Sequence, residues 1–295
     1  MTTLSATTMT REPAEQTREM YCAEVWGGNR AIEEPFSLTG VRGYAFSKPC
    51  DSGRGGDIHY ISICGSGLIS RVCVADVAGH GAAVGKVSQD IHELLAHYMN
   101  SFDQRRILRA LNQRLEGTDL GRMTTAAVVS YFPPIRSLSV SYAGHEPAWL
   151  YRKSEDRWTR LVLPSASEPR DGLVDMPLAI HERTGFTQRK ERVRPDDRVL
   201  LVTDGVLEAP SPGGDLFGIQ RLERVLHEHR HETERVLTEC IRDALTEHTK
   251  DAALSHDDVT LLLLNFVPGP PAFGIWHGLK RRMFRRPTAA RVPAG

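Results

Sequence analysis

The order in which strand-like and helix-like segments follow one another limits what this chain can fold into more than any other feature of its sequence. Two apolar runs typical of strands, DIHYISIC and LISRVCVAD, come first and are separated by the turn signal GSG. Apolar residues at three- and four-residue spacing then predict two helices, over residues 84–98 and 107–115. The strand-like runs that follow are TTAAVVSYF, SLSVSYAG, PAWLYR, FTQRKERV and DRVLLVTD.

The last part of the chain keeps this separation of strands from helices. Two more helices are predicted over residues 219–226 and 236–245, and the apolar run DDVTLLLLNF predicts a closing buried strand. Grouped strands and grouped helices favour a layered α+β fold over the strict alternation of a parallel sheet. The longest apolar run, residues 259–267, is too short for a membrane-spanning helix, which needs about 20 apolar residues.

Composition divides the chain into three parts. Residues 1–36 are polar and are predicted to form an N-terminal extension with a disordered tip, and residues 37–267 are predicted to form one folded domain. Residues 268–295 contain no acidic residue and are predicted to form a Pro/Gly linker and a basic tail. The apolar residues of the tail could contact an anionic membrane or a partner protein, and a solvated tail is the alternative.

The charge balance and the cysteines indicate the setting of the protein. Lys plus Arg and Asp plus Glu both total 37, so no overall field points to a nucleic-acid partner. The five cysteines show no C-x-x-C spacing, and the N-terminus lacks the apolar core of a secretory signal. These features predict a cytoplasmic protein and leave its oligomeric state open.

The segment VCVADVAGHGAAVGK, residues 72–86, joins a strand-like run to a helical pattern through a glycine-rich turn. It does not fit a phosphate-binding P-loop, because His80 stands where the first glycine is required and Val87 stands where a hydroxyl is required. The other chemistry in this segment belongs to Asp76, which ends the strand. An aspartate at this position is either an oxygen ligand for a divalent cation or a helix cap.

Acidic residues at three other strand ends favour the metal interpretation. Asp57 follows a glycine pair at the start of a strand, and Asp204 ends the strand DRVLLVTD. Asp257 and Asp258 stand together before the strand VTLLLL. Carboxylates gathered in one place repel each other unless a cation lies between them. The sequence therefore predicts that these acids surround Mg²⁺ or Mn²⁺, which prefer oxygen ligands.

Six segments together resemble the SpoIIE/RsbU-type branch of the metal-dependent PPM (protein phosphatase 2C-like, PP2C-like) serine/threonine phosphatases. In chain order they are GGD, ADVAGHG, TTAAVVSYF with SLSVSYAGHEPAWLYR, DRVLLVTDGVLEA, GGDLFGIQRL and HDDVTLLLL, all between residues 37 and 267. The resemblance implies an αββα sandwich, in which helices flank two mostly antiparallel β-sheets. It also implies a centre of two divalent metal ions, Mn or Mg, at one end of the sheets.

The resemblance also implies the role of each acid. The implied metal ligands are Asp57, Asp76, Val77 through its carbonyl oxygen, Asp204 and Asp257. Asp76 and Asp204 would act in catalysis through a metal-activated water, whereas Asp258 would be structural. The implied reaction is hydrolysis of phosphoserine or phosphothreonine on a protein, such as a bacterial anti-sigma-factor antagonist.

Other polar residues near these motifs have two interpretations each. Arg54, three residues before Asp57, could bind the substrate phosphate or remain a solvated loop residue. His80 and His145 could donate a proton to a leaving oxygen or serve as structural turn residues. Tyr60 occupies a position that is often acidic in the family, which leaves the ligands of the second metal open.

Two other functions compete with the phosphatase. HEHRH at residues 227–231 matches H-E-x-x-H, in which two histidines one helical turn apart bind zinc for a protease. It lies at the polar end of a helical pattern and lacks an evident third ligand. A PP2C-like module without catalysis would only bind partners. The four strand-end acids argue against that module, since a binding module has no chemical need for them.

Overall fold

The chain is built from short strands and a few helices, and the computed structural model describes residues 17–50, 53–78, 82–116, 123–164 and 173–269. The strands are β1 (Arg18–Glu19), β2 (Val25–Gly28), β3 (Ile32–Leu38), β4 (Val41–Lys48), β5 (Asp57–Ile63), β6 (Ser70–Val77), β7 (Thr124–Phe132), β8 (Ser137–Ala143), β9 (Trp149–Arg152), β10 (Arg157–Arg160), β11 (Arg189–Arg192), β12 (Arg198–Val202) and β13 (Val259–Phe266). The helices are α1 (Ala82–His97), α2 (Arg105–Leu115), α3 (Asp204–Leu207), α4 (Gly218–Glu228) and α5 (Glu234–Thr249).

The strands form two sheets. A seven-stranded sheet has the spatial order β1-β3-β4-β13-β12-β9-β10, and a six-stranded sheet has the order β11-β8-β7-β6-β5-β2. Neighbouring strands of the six-stranded sheet are antiparallel throughout. In the seven-stranded sheet β1 runs parallel to β3, and the other neighbours are antiparallel.

Three apolar clusters hold the sheets and helices in four layers. The first lies between the sheets and includes Val74 of β6 and Leu262 of β13. The second packs α1 and α2 against the outer face of the six-stranded sheet. The third packs α4 and α5 against the outer face of the seven-stranded sheet. The predicted αββα sandwich of two mostly antiparallel sheets is therefore confirmed.

Strand β13 shows why the closing run of the sequence is mostly apolar rather than alternating. All of its residues are buried. Leu262 and Leu264 face the other sheet, whereas Leu261 and Leu263 face α4 and α5. Side chains alternate between the two faces of a strand, so a strand covered on both faces is mostly apolar, and only Thr260 and Asn265 interrupt the apolar residues of β13. Each fully buried leucine contributes about 1.5–3 kcal/mol to this packing.

The ordered structure begins earlier than the sequence predicts. Residues 1–36 are predicted to form an extension, yet β1, β2 and most of β3 precede residue 37 and belong to the two sheets. β1 and β2 lie at sheet edges, where strands are short and polar and show no alternating pattern. The tip of the predicted extension and the basic tail, residues 1–16 and 270–295, lie outside the described residues. No helix of the described part is both long and apolar enough to cross a membrane.

Candidate metal centre

In the six-stranded sheet, two of the predicted ligands stand side by side. β5 begins at Asp57 and the antiparallel β6 ends at Val77, which makes Asp57 and Asp76 direct partners in the strand register. Partners in an antiparallel pair project from the same face of the sheet. Ile61 and Val74 share that face and pack between the sheets, so both aspartates point toward the seven-stranded sheet.

The seven-stranded sheet brings two more acids to the same end of the sandwich. β12 ends at Val202 and the antiparallel β13 begins at Val259, so Asp204 and Asp257 lie at the same end of this sheet. Thr203 joins the two sheets, because its Oγ1 donates a hydrogen bond of 2.7 Å to Asp57 Oδ2. The same Oγ1 accepts one of 3.0 Å from the backbone N–H of Thr260. All four predicted carboxylate ligands therefore lie at one end of the two sheets.

The carboxylate of Asp258, the residue after the predicted ligand Asp257, accepts hydrogen bonds from the backbone. Its Oδ1 accepts the backbone N–H of Cys50 at 2.7 Å, and its Oδ2 accepts those of Gly56 and Asp57, the latter at 3.2 Å. The carboxylate is thus occupied by three backbone donors from the segment that leads into β5. In this arrangement Asp258 anchors the segment that carries Asp57.

Burial and neighbouring negative charges raise the pKa values of three carboxyl groups in the cluster. The pKa of Asp76 rises to about 7, first because of burial and then because of the charges of Asp204 and Asp257. The pKa of Asp57 is raised well above its ordinary value, again mainly by burial, although the Thr203 hydroxyl opposes the shift. Burial also raises the pKa of Asp257, and the charge of Asp204 adds to the effect. A cation at this end of the sheets would remove that repulsion.

The donor set fits a hard divalent cation in chemistry. Carboxylate and carbonyl oxygens are the ligands that Mg²⁺ and Mn²⁺ prefer. Among the described residues, no three His, Cys, Asp or Glu side chains stand close enough together to hold a metal ion. Val77, the residue predicted to offer a carbonyl, is buried and its N–H donates to the Gly56 carbonyl at 3.2 Å.

The structure gives less support to the roles predicted for the other site residues. Arg54 is exposed in the loop before Asp57, while His80 lies outside the described residues. His145 is buried, and burial lowers its pKa, so at neutral pH its ring is uncharged and a poor proton donor. Tyr60 faces the helices and its hydroxyl hydrogen-bonds Ser88 of α1, on the opposite face of β5 from Asp57.

Two residues of this site are missing from the sequence prediction. Thr203 resembles an ordinary helix cap before Asp204, and its bond to Asp57 joins residues 146 positions apart. Glu208 adds to the raised pKa of Asp76. The only signal for Glu208 in the sequence is its place in the motif TDGVLEA, four residues after Asp204.

A family model decides to which group of proteins this arrangement belongs. The model described as Stage II sporulation protein E (SpoIIE) matches residues 70–267, more than half of the chain. The chain belongs to the SpoIIE family. The matched segment contains Asp76, Asp204 and Asp257, whereas Asp57 precedes it.

Solved structures share the fold of this SpoIIE-family chain. The PP2C phosphatase domain of SpoIIE from Bacillus subtilis, with a fragment of its regulatory domain, superimposes with a TM-score of 0.62 at 18% identity, over 78% of this chain and 63% of that chain. RsbX in complex with magnesium superimposes with a TM-score of 0.57 at 16% identity, over 80% of this chain and 100% of that chain. The RsbU and RsbW domains of Rv1364c from Mycobacterium tuberculosis superimpose with a TM-score of 0.57 at 22% identity, over 79% of this chain and 62% of that chain. No curated protein sequence matches the chain.

The zinc-protease motif does not have the geometry that it requires. α4 ends at Glu228, so His231 lies beyond the helix, and the two histidines do not stand one helical turn apart. His231 instead stands beside Asp156, whose Oδ1 lies 3.6 Å from its Nε2 in a half-exposed pair. HEHRH therefore lacks the helical spacing that this zinc motif requires and lies at the charged end of α4.

Gly205 is expected to be indispensable because of a close approach between α3 and the segment before β13. A Cβ atom at this position would lie 1.9 Å from the backbone oxygen of Asp258, so Gly205→Ala must push Asp204 and Asp257 apart. We expect a loss of about 1–3 kcal/mol in the free energy of unfolding, together with weaker Mn²⁺ binding. Urea unfolding and calorimetric titration with Mn²⁺ measure both effects.

Gly213→Ala is the matched control for this substitution. A Cβ atom there would meet only the Ser211 hydroxyl, at 3.6 Å, which is an ordinary contact. Unchanged unfolding and Mn²⁺ binding in Gly205→Ala would contradict the close approach.

Proposed function

We propose that this SpoIIE-family protein is a metal-dependent phosphatase that hydrolyses phosphoserine or phosphothreonine on a protein. The observation that carries the proposal is the convergence of Asp57, Asp76, Asp204 and Asp257 at one end of the sandwich, with Thr203 joining the sheets between them. The raised pKa values of Asp57, Asp76 and Asp257 support the proposal, because perturbed carboxyl groups cluster at functional sites.

The residues that would hold two Mn²⁺ or Mg²⁺ ions are the four aspartates and the carbonyl of Val77. When bound, such ions supply an activated water for in-line attack on phosphorus and neutralise charge on the phosphoryl oxygens. The protein would hold Asp57 through Thr203 and through the backbone segment anchored by Asp258. Arg54 is exposed beside the centre and would bind the substrate phosphate, and His80 would donate a proton to the leaving oxygen.

The solved structures support a proposal for the substrate class. RsbU and RsbW domains occur together in the solved mycobacterial chain, and we propose that this protein likewise acts on a phosphorylated regulator of the anti-sigma-factor antagonist type. The balanced charge supports a protein rather than a nucleic acid as partner. The cytoplasm is the proposed location, and the basic tail is proposed to contact an anionic membrane or a partner.

The test is hydrolysis of an aryl phosphate and of a phosphoserine protein by the full chain with Mn²⁺, with Mg²⁺ and with chelator. We expect turnover only with metal, and a loss of more than about a hundredfold in Asp204→Asn, because even residues that merely support metal ligands change activity 10- to 100-fold. Asp103→Asn is the matched control, since Asp103 is paired with Arg105 at the start of α2, away from the site. Absence of turnover on both substrates with either metal would favour the binding module.

A further inference from the structure

The turn between β2 and β3 contacts the segment that leads into the metal centre. The backbone N–H of Gly55 donates to the carbonyl of Asn29 at 3.1 Å, and Asn29 Nδ2 donates back to the carbonyl of Gly55 at 3.0 Å. Asn29 is only 5% exposed. This reciprocal pair of bonds closes a small ring between residues 26 positions apart, so it holds Gly55 in both position and orientation.

The segment from Gly53 to Gly56 has no regular structure of its own and depends on such contacts. On one side Asp258 accepts the backbone N–H groups of Gly56 and Asp57. A Cβ atom at Gly55 would lie 2.4 Å from Asp258 Oδ2, which shows how closely the segment approaches this carboxylate. On the other side Asn29 holds Gly55. The segment that leads into Asp57 is therefore held by Asp258 on one side and by Asn29 on the other.

We propose that Asn29 is a positioning residue for the metal centre, acting on Asp57 through Gly55, so that the β2–β3 turn is part of the catalytic unit. This inference rests on the proposed function, since it concerns a ligand of the proposed metals. It also assigns a role to residues that precede both the predicted domain start at residue 37 and the matched family segment. The chemistry requires a side-chain N–H donor opposite the Gly55 carbonyl, which alanine lacks and an aspartate cannot supply when ionised.

The experiment compares the full chain with Asn29→Ala, Asn29→Asp and the matched control Asn100→Ala. Asn100 is a suitable control because its Oδ1 accepts the backbone N–H of Gly65, at the far end of β5. Calorimetric titration with Mn²⁺ is expected to show binding weakened about tenfold in Asn29→Ala, as for other residues that support metal ligands. Asn29→Asp is expected to be weakened at least as much, whereas Asn100→Ala binds Mn²⁺ as the wild type does.

Hydrogen exchange in the metal-free chain tests the same contact without any metal. Faster exchange of the Gly55, Gly56 and Asp57 amides is expected in Asn29→Ala and not in Asn100→Ala. If the wild type binds no Mn²⁺ while exchange changes as expected, the proposed function fails and the positioning of this segment stands. Unchanged exchange at these amides in Asn29→Ala would overturn the role of Asn29. If the wild type binds Mn²⁺ and Asn29→Ala binds it equally well, the role is overturned too.

Discussion

Asp76→Asn is expected to lower kcat/KM of the proposed phosphatase by more than about a hundredfold, because Asp76 is proposed as a direct metal ligand and the loss of residues that only support such ligands already costs 10- to 100-fold. Asp76 stands opposite Asp57 in the strand register, and Asp204 and Asp257 are among the charges that raise its pKa. Asp76 thus interacts with acids of both sheets. Asparagine keeps the size of the side chain and removes its charge, so the change tests charge rather than packing.

The measurement is steady-state hydrolysis of an aryl phosphate at saturating Mn²⁺, with calorimetric titration of Mn²⁺ on the same sample. Circular dichroism and urea unfolding in chelator show whether the variant is folded. We expect the metal-free variant to be at least as stable as the wild type, because one charge has been removed from a group of like charges. A folded variant that retains a tenth or more of wild-type turnover would exclude Asp76 as a ligand.

The stability of the metal-free chain is expected to carry a pH-dependent penalty from Asp76. Its pKa is about 7 in the folded chain, above the ordinary value of 3.8. Between these values the folded state binds more protons than the unfolded state, so this contribution to stability decreases as the pH rises through the window. From pH 5 to pH 7 the loss from this one group is about 2–3 kcal/mol, at roughly 1.4 kcal/mol per pH unit. Asp57 and Asp257 act in the same direction.

Two buried histidines act in the opposite direction, so the comparison must be made between variants. Burial lowers the pKa of His59 to about 4 and also lowers that of His145, which makes their contributions increase as the pH rises toward the unfolded pKa of 6.5. Urea unfolding of wild type and Asp76→Asn at pH 5 and pH 7, in chelator, isolates the Asp76 contribution. The variant is expected to gain stability relative to the wild type at pH 7, and equal differences at both pH values would contradict the prediction.

Added Mn²⁺ is expected to reverse this penalty. An ion that binds only the folded state stabilises it by about 2.7 kcal/mol at a concentration one hundred times its Kd. The gain should be larger at pH 7 than at pH 5, because the carboxylates must lose protons to bind the metal. In Asp76→Asn the gain should be small at both pH values.

The layers of the sandwich were predictable because their signals are local. The helical spacing over residues 84–98 and 236–245 corresponds to α1 and α5. The run of four leucines in β13 indicates a strand covered on both faces, as found. The grouping of the acids was also predictable. In an antiparallel sheet, the end of one strand lies beside the start of its neighbour, so acids at these positions come together.

The sequence alone therefore determined the layered α+β architecture and the candidate acids, because periodicity and residue type act over a few neighbouring positions. The tertiary structure decided which contacts hold those acids in place. Thr203 bonds Asp57 across the two sheets, Asp258 anchors the preceding segment, and Asn29 holds Gly55 from an edge that the sequence placed outside the domain. These contacts consist of a few hydrogen bonds between residues 26 to 208 positions apart. Such bonds leave no period or local pattern in the sequence, so only the folded chain shows them.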